Sequence, residues 1–121
     1  MTLEDLIDTY CAGWSAEDPS ERERLFRLTL SGDATYCDPR TPPLRIPALC
    51  EYVAGIRAAR PGSRVVRTSR VDAHHGFARF HWQMAFADGS TLPEGIDVVR
   101  VSADGMKLEE ILGFFGPLAP R

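Results

Sequence analysis

The chain has 121 residues, of which 44% are hydrophobic and 26% are charged, and its formal net charge is −3 at pH 7. That length and composition predict one globular domain, residues 1–121, with a hydrophobic core of its own. Basic and acidic residues are mixed along the chain and no apolar run approaches the ~18 residues of a membrane span, so we expect no nucleic-acid partner and no membrane partner.

A first helix is predicted at the N-terminus. Thr2 can cap it, and Asp5 stands at the spacing that completes a capping box. The apolar residues that follow recur at helical spacing and would share one face: Leu3, Ile7, Tyr10 and Trp14. Tyr10 brings a hydroxyl group into this face, and a buried hydroxyl needs a hydrogen-bond partner. Tyr10 is therefore a candidate functional residue.

Two further helices are predicted in the first half of the chain. The second has Asp18 as its N-cap and Pro19 as its first residue, and Gly32 is a natural stop. The third follows a Pro-rich loop, opens at Pro47 and ends at Pro61-Gly62. Between these two helices, "ATYCDPR" (residues 34–40) predicts a short strand that ends at Asp38, directly before a proline.

The second half of the chain changes from a helical period to an alternating one. Four strands are predicted in the stretches "SRVVRTSRVDA", "FARFHWQMAF", "LPEGIDVVRV" and "MKLEEILGFF". Turn-forming dipeptides such as Asp88-Gly89 and Asp104-Gly105 separate consecutive strands. The predicted fold class is therefore α+β, with three N-terminal helices packed on a strongly curved antiparallel β-sheet. Such a sheet forms a cone, and its internal pocket would hold a small ligand.

Alternation along the strands predicts which side chains face the pocket. One face of "FARFHWQMAF" is aromatic and apolar: Phe80, Trp82, Met84 and Phe86. In "GIDVVRV", Asp97 shares a face with Val99 and Val101, while Arg100 belongs to the opposite face. An acid on the inner face costs several kcal/mol unless it is paired, hydrogen-bonded or protonated. Asp97 is therefore the second candidate functional residue.

Four short motifs carry a resemblance to a known family. They are "YCAGW" in the first helix, "DATYCDP" in the first strand, "GIDVVRV" in a long strand and "GFFGP" near the end. With the order of the predicted elements, they make the chain resemble the nuclear transport factor two-like superfamily. The resemblance is to its SnoaL-like and bacterial ketosteroid isomerase branches, and it covers almost the whole chain.

The resemblance implies catalytic roles for Tyr10, Asp38 and Asp97. Asp38 would remove a proton next to a carbonyl group and return it elsewhere on the product. Tyr10 and a protonated Asp97 would donate hydrogen bonds to the enolate oxygen that forms. This chemistry needs no cofactor and no metal. The residues expected to contact the substrate are Trp14, Arg40, Phe80, Trp82, Met84, Phe114 and Phe115.

Three functions are compatible with these residues. The first is an isomerase or lyase that abstracts a proton from a hydrophobic carbonyl compound, although Arg40 beside Asp38 argues against a steroid. The second is a polyketide cyclase-like reaction in the same pocket, and the third is a non-catalytic ligand-binding or dimerisation module. An epoxide hydrolase-like reaction is disfavoured, because Gly95 stands where that family has an arginine.

The assembly and location of the protein are further expectations. The outer face of the sheet would carry His81, Gln83 and Ile96, and it predicts a homodimer formed through that face. The cysteines, Cys11, Cys37 and Cys50, are odd in number and lack C-x-x-C spacing, which disfavours a disulfide framework and a zinc site. The acidic N-terminus has no signal-peptide pattern, so we expect a cytoplasmic protein.

Overall fold

The computed structural model describes residues 1–121 and has three helices and seven strands. The helices are α1 (Leu3–Ser15), α2 (Pro19–Thr29) and α3 (Ile46–Ala59). The strands are β1 (Leu30–Asp38), β2 (Thr41–Leu44), β3 (Arg64–Arg67), β4 (Asp72–His74), β5 (Phe77–Ala85), β6 (Gly95–Val101) and β7 (Leu108–Phe114). The predicted fold class, helices on a curved sheet, is confirmed.

The helix starts follow the predicted capping pattern. Thr2 and Asp5 form a reciprocal capping box, with the Asp5 N–H donating to the Thr2 hydroxyl at 3.1 Å. The Asp18 side chain caps α2, and Pro19 is the first helical residue. The predicted end of α2 at Gly32 is wrong. Strand β1 already begins at Leu30, because Leu30 pairs with Leu108 of β7 and leaves the helical conformation.

The sheet has the strand order β2-β1-β7-β6-β5-β3, and β4 also pairs with β5. Its neighbouring strands are antiparallel with one exception, since β1 and β7 run parallel. A parallel pair is possible here because β1 and β7 are joined by most of the chain, and a long connection does not force the antiparallel direction of a hairpin. The parallel pair brings the end of β1 beside the end of β7.

Two segments form more strands in the structure than the sequence predicted. The stretch "SRVVRTSRVDA" forms two strands, β3 and β4, which pair with opposite ends of β5. The chain leaves the sheet between them, where the His81 N–H donates to the Ser69 hydroxyl instead of to a strand. The Pro-rich loop contains β2, which forms a hairpin with β1. Asp38 therefore lies at the turn of a hairpin.

The core lies between the helices and the inner face of the sheet. Helix α1 buries its apolar face, including Ile7 and Tyr10, in one cluster with Phe80, Val99 and Ile111 of the sheet. The alternation predicted for β6 is confirmed, since Asp97 and Val99 are buried and Arg100 is exposed. None of the helices has the length and apolar character that a membrane crossing requires.

The outer face of the sheet carries polar contacts within the chain. The His81 ring nitrogen Nδ1 lies 3.2 Å from a carboxylate oxygen of Glu94. The Gln83 amide donates to the Leu92 carbonyl oxygen at 3.0 Å, and Ile96 is half-buried. The homodimer through this face stays a prediction.

Candidate functional site

A cavity of about 480 Å³ opens between α1, α3 and the inner face of the sheet. It is lined by 19 residues, 13 of them hydrophobic, so the body of a ligand that fills it must be apolar. Tyr10, Asp38 and Asp97 all line this cavity. The residues that the sequence places in the catalytic set therefore share one site.

Asp38 is held by donors that the sequence did not indicate. Its Oδ2 atom accepts hydrogen bonds from the Tyr36 hydroxyl at 2.6 Å and the Tyr52 hydroxyl at 3.0 Å. Its Oδ1 atom accepts a hydrogen bond from the backbone N–H of Arg40 at 2.8 Å. A carboxylate has about four lone-pair sites, so with three donors in place one site is left for a proton.

Tyr36 and Tyr52 were missed as functional residues, although each left a signal in the sequence. Tyr36 stands two residues before Asp38 in β1, and alternation puts both side chains on the same face. Tyr52 lies in the apolar stripe of α3, where a hydroxyl needs a partner, as it does in α1. Only the packing of α3 beside β1 shows that the two hydroxyls meet at one carboxylate.

The Tyr10 hydroxyl is available as a donor. It accepts a hydrogen bond from the Trp14 indole N–H at 2.9 Å, one helical turn away, so its own proton is free for another acceptor. Burial raises the pKa of Tyr10 well above its usual value, and the nearby charge of Asp97 acts in the same direction. The phenol therefore stays protonated at neutral pH.

Asp97 is 5% exposed and lines the cavity. Burial raises the pKa of its carboxyl to about 7, and the charge of Asp38 contributes in the same direction. The indole N–H of Trp82 acts against this shift and favours the charged form. Asp97 is thus a carboxyl that is largely neutral below pH 7.

Gly113 lies between the two acids. Asp97 of β6 pairs with Gly113 of β7, and Cys37 of β1 pairs with the preceding residue of β7. A Cβ atom at Gly113 would lie 3.2 Å from the Asp97 Oδ1 atom, 3.4 Å from the Asp38 Cβ atom and 3.4 Å from the Tyr36 hydroxyl oxygen. Asp38 and Asp97 therefore face each other across a strand position that has no side chain.

Most of the expected substrate contacts line the cavity, and two do not. Those that line it are Trp14, Arg40, Trp82, Met84 and Phe115. Phe80 points inward as predicted but is 1% exposed and belongs to the core, because the cavity occupies only the Trp82 end of β5. Phe114 is 52% exposed, because it follows the inward-facing Gly113 and points to the other side of the sheet.

The mouth of the cavity carries positive charge. Arg40 and Arg60 both line the cavity and are exposed, and neither pairs with a carboxylate. The Arg60 guanidinium lies 4.5 Å above the centre of the Phe86 ring, which also lines the cavity. The sequence did not single out Arg60, since it stands in a helix-terminal stretch of several basic residues.

Gly95 supports the position of the Trp82 ring. A Cβ atom there would lie 2.4 Å from Trp82 Cζ2 and 2.7 Å from the Phe114 carbonyl oxygen, so Gly95→Ala requires the ring and the backbone to move. We expect this variant to lose about 1–3 kcal/mol in the free energy of unfolding, measured in urea. The control is Gly55→Ala in α3, where the added Cβ meets nothing within 4 Å. The Gly55→Ala variant should gain about 0.5–1 kcal/mol in the free energy of unfolding. A Gly95→Ala protein as stable as this control would contradict the packing of the Trp82 ring on Gly95.

The comparisons with known proteins support the fold described above. Neither a family model nor a curated protein matches this sequence. Among solved structures, the chain is similar to SnoaL-like, nuclear transport factor two-like and ketosteroid isomerase-like proteins. The resemblance predicted from the sequence is thereby confirmed.

Three of these structures illustrate the range of similarity. A provisionally assigned isomerase of the SnoaL-like family from Agrobacterium tumefaciens strain C58 is 27% identical, with a TM-score of 0.84 over 94% of this chain and 97% of that one. A nuclear transport factor two-like protein of unknown function from Exiguobacterium sp. 255-15 is 22% identical, with a TM-score of 0.68 over 93% and 99%. A provisionally assigned SnoaL-like polyketide cyclase from Jannaschia sp. CCS1 is 14% identical, with a TM-score of 0.72 over 93% and 83%.

Proposed function

We propose that the protein is an enzyme that moves a proton next to the carbonyl group of a hydrophobic small molecule, as an isomerase or a lyase. The observation that carries this proposal is the meeting of a carboxylate, a phenol and a carboxyl with a raised pKa in one apolar cavity. Enzymes that form enolates need such a set, a base on one side of the substrate and hydrogen-bond donors on the other.

Asp38 is the proposed base. Its free lone-pair site would take a proton from the carbon next to the carbonyl, and the electron pair of that C–H bond would pass to the carbonyl oxygen as an enolate. Asp38 would then return the proton to another carbon of the conjugated system, or a leaving group would depart in a lyase reaction. The Tyr36 and Tyr52 hydroxyls keep the carboxylate in one orientation through both steps.

Tyr10 and Asp97 are the proposed donors to the enolate oxygen. The Tyr10 proton is not used by another protein group, and Asp97 carries a proton below about pH 7. Preorganised donors in a site that excludes water stabilise a developing oxyanion, and the loss of one typically costs about 10²- to 10³-fold in turnover. The apolar lining of the cavity excludes water once a substrate fills it.

The test is isomerisation of a simple probe, cyclohex-3-enone, to its conjugated isomer, followed by ultraviolet absorbance. We expect turnover above the buffer rate, and deuterium from D₂O should enter the carbons next to the carbonyl in a panel of cyclic ketones. A protein that binds aromatic ligands in the cavity but catalyses no exchange with any ketone of the panel would be a ligand-binding module. Cyclisation of a linear polyketide without ketone isomerisation would favour the polyketide cyclase-like function.

We also propose that the substrate carries an acidic group at the end that remains near the mouth. Arg40 and Arg60 supply the positive charge there and are exposed, whereas Asp97 is buried and Asp38 is half-buried. The Arg60→Gln variant should bind 6-hydroxy-2-naphthoate about 2- to 5-fold more weakly, the range expected for an exposed charge pair. Its affinity for uncharged 2-naphthol should not change, as isothermal titration calorimetry would show. Arg64→Gln is the matched control, because Arg64 is exposed but lies outside the cavity lining, and an equal loss there would contradict the proposal.

A further inference from the structure

A second cavity lies between two of the helices and contains two buried arginines. It has a volume of about 340 Å³ and opens between the start of α2 and the end of α3. Arg22 of α2 is 4% exposed, Arg57 of α3 is 9% exposed, and both line this cavity. We call it the arginine groove. It shares no lining residue with the apolar cavity, so it is a separate site.

Neither arginine forms an ion pair with a carboxylate. Arg22 Nη2 donates to the Ala16 carbonyl oxygen at 2.9 Å, and Arg57 Nη1 donates to the carbonyl oxygens of Trp14 and Ser63. Trp14 and Ala16 lie at the C-terminal end of α1, where carbonyl groups have no partner within the helix. Capping of α1 therefore accounts for one nitrogen atom of each guanidinium group.

The other guanidinium nitrogens carry hydrogen-bond donors that no protein group uses. A guanidinium has five N–H groups and cannot accept a hydrogen bond. Of the two arginines, only the Nε atom of Arg22 is both sealed from solvent and without a partner. Nη1 of Arg22, and Nε and Nη2 of Arg57, also have no protein acceptor, so these atoms have accessible surface. A molecule in the groove can therefore reach donors on both side chains.

The groove also keeps positive charge that the protein neutralises only in part. The C-termini of α1 and α3 each carry about half a unit of negative charge, against two unit charges on the arginines. The one acid that lines the groove, Glu17, is exposed and forms no ion pair, so solvent screens its charge. The neighbouring Asp18 carboxylate caps α2 at the Glu21 N–H. Buried cations without a counter-ion are unfavourable, and a bound anion would offset this.

We propose that the arginine groove binds a small tetrahedral oxyanion, a phosphate group. The planar fork of a guanidinium matches the spacing of phosphate oxygens, and here two forks come from two different helices. A carboxylate offers only two oxygens, so it would satisfy fewer of the unused donors than phosphate would. The proposal does not depend on the proposed function, because none of these residues lines the apolar cavity.

The experiment is a titration of the ¹⁵N-labelled protein with inorganic phosphate at constant ionic strength. The backbone amide signals of Ala58 and Gly62, which line the groove, should move and reach saturation. The signal of Gly116, which lines the apolar cavity, should move much less. Acetate should bind more weakly than phosphate. Methyl phosphate distinguishes two sources of the group, since binding at least as tight as that of the free ion indicates a phosphate ester, and weaker binding indicates the free ion.

Three variants test the role of the groove residues. Glu17→Gln should bind phosphate about 2- to 5-fold more tightly, the range expected for an exposed charge pair. Glu109→Gln is the matched control and should not change the affinity, because Glu109 is exposed, forms no ion pair and lies outside the groove. Arg22→Gln keeps an amide donor for the Ala16 carbonyl oxygen but loses the charge, and it should weaken phosphate binding at least about tenfold.

Three outcomes would overturn the proposal. Shifts that are equal with phosphate and with chloride at the same ionic strength would mean that the arginines only cap α1. Acetate that binds as tightly as phosphate would contradict the ligand class. Glu17→Gln and Glu109→Gln proteins with equal gains in affinity would show that phosphate responds to net charge and not to the groove. All three are measured on proteins that retain both arginines, so they decide the matter even if Arg22→Gln does not fold.

Discussion

Replacing Asp38 with asparagine should reduce the turnover of cyclohex-3-enone by about 10²- to 10⁴-fold, the usual contribution of a general base. The amide cannot take up a proton, and below pH 7 Asp97 is largely protonated and cannot replace Asp38 as the base. The fold should survive, because the amide oxygen can still accept hydrogen bonds from the Tyr36 and Tyr52 hydroxyls. The measurement is steady-state turnover together with the urea midpoint of each protein.

Asp33→Asn is the matched control for this variant. Asp33 lies in the same strand as Asp38 but is exposed and outside the cavity lining. Its replacement removes the same charge from β1 and should leave turnover unchanged. An Asp38→Asn protein that keeps more than a tenth of the original turnover would show that another group is the base. Asp38 would then be a structural acceptor for its two tyrosines.

The unfolding free energy should respond to pH through Asp97. Its pKa is raised from an ordinary value of 3.8 to about 7 in the folded protein, so the folded state binds more protons than the unfolded state between these values. Stability contributed by this group is therefore greatest in acid and is lost as the pH rises towards 7. Between pH 5 and 8 the loss should be roughly 2–3 kcal/mol.

The Asp97→Asn variant isolates this contribution. The amide has nearly the shape of the neutral acid and does not titrate, so the difference in unfolding free energy between the original protein and the variant should fall from pH 5 to about pH 7 and then level off. Other groups that titrate in this range cancel in the difference. Urea denaturation at four pH values would measure it. A difference that does not depend on pH would mean that Asp97 is ionised throughout this range, which removes its role as a donor.

The same protonation links stability to the proposed chemistry. Above pH 7 an ionised Asp97 cannot donate to an enolate, and its charge repels both the oxyanion and the Asp38 carboxylate. Turnover that depends on hydrogen bonds to the enolate should therefore decline as Asp97 ionises near pH 7. The unfolding free energy should level off in the same pH range. Agreement between these two pH dependences would connect them to one group.

Several features of this protein are local and can be predicted from the sequence. The capping box of α1 and the Asp18–Pro19 start of α2 depend on side chains within one helical turn of each other. The inward direction of Asp97 depends on the alternation of a single strand, which no distant contact needs to specify. Tyr10 is identified in the same way, because the spacing of one helix puts its hydroxyl on the buried face.

The tertiary structure alone decided how these residues meet. The parallel pairing of β1 with β7 puts Gly113 between Asp38 and Asp97, and no pattern within either strand indicates which strand lies beside it. The two tyrosines on Asp38 come from a strand and a helix that approach only when the core packs. Phe80 shows the same limit, because alternation gives the direction of a side chain but not how far the cavity extends along the sheet. Contacts between distant segments depend on the packing of the whole core, so the local pattern predicts the candidate residues and the fold determines their partners.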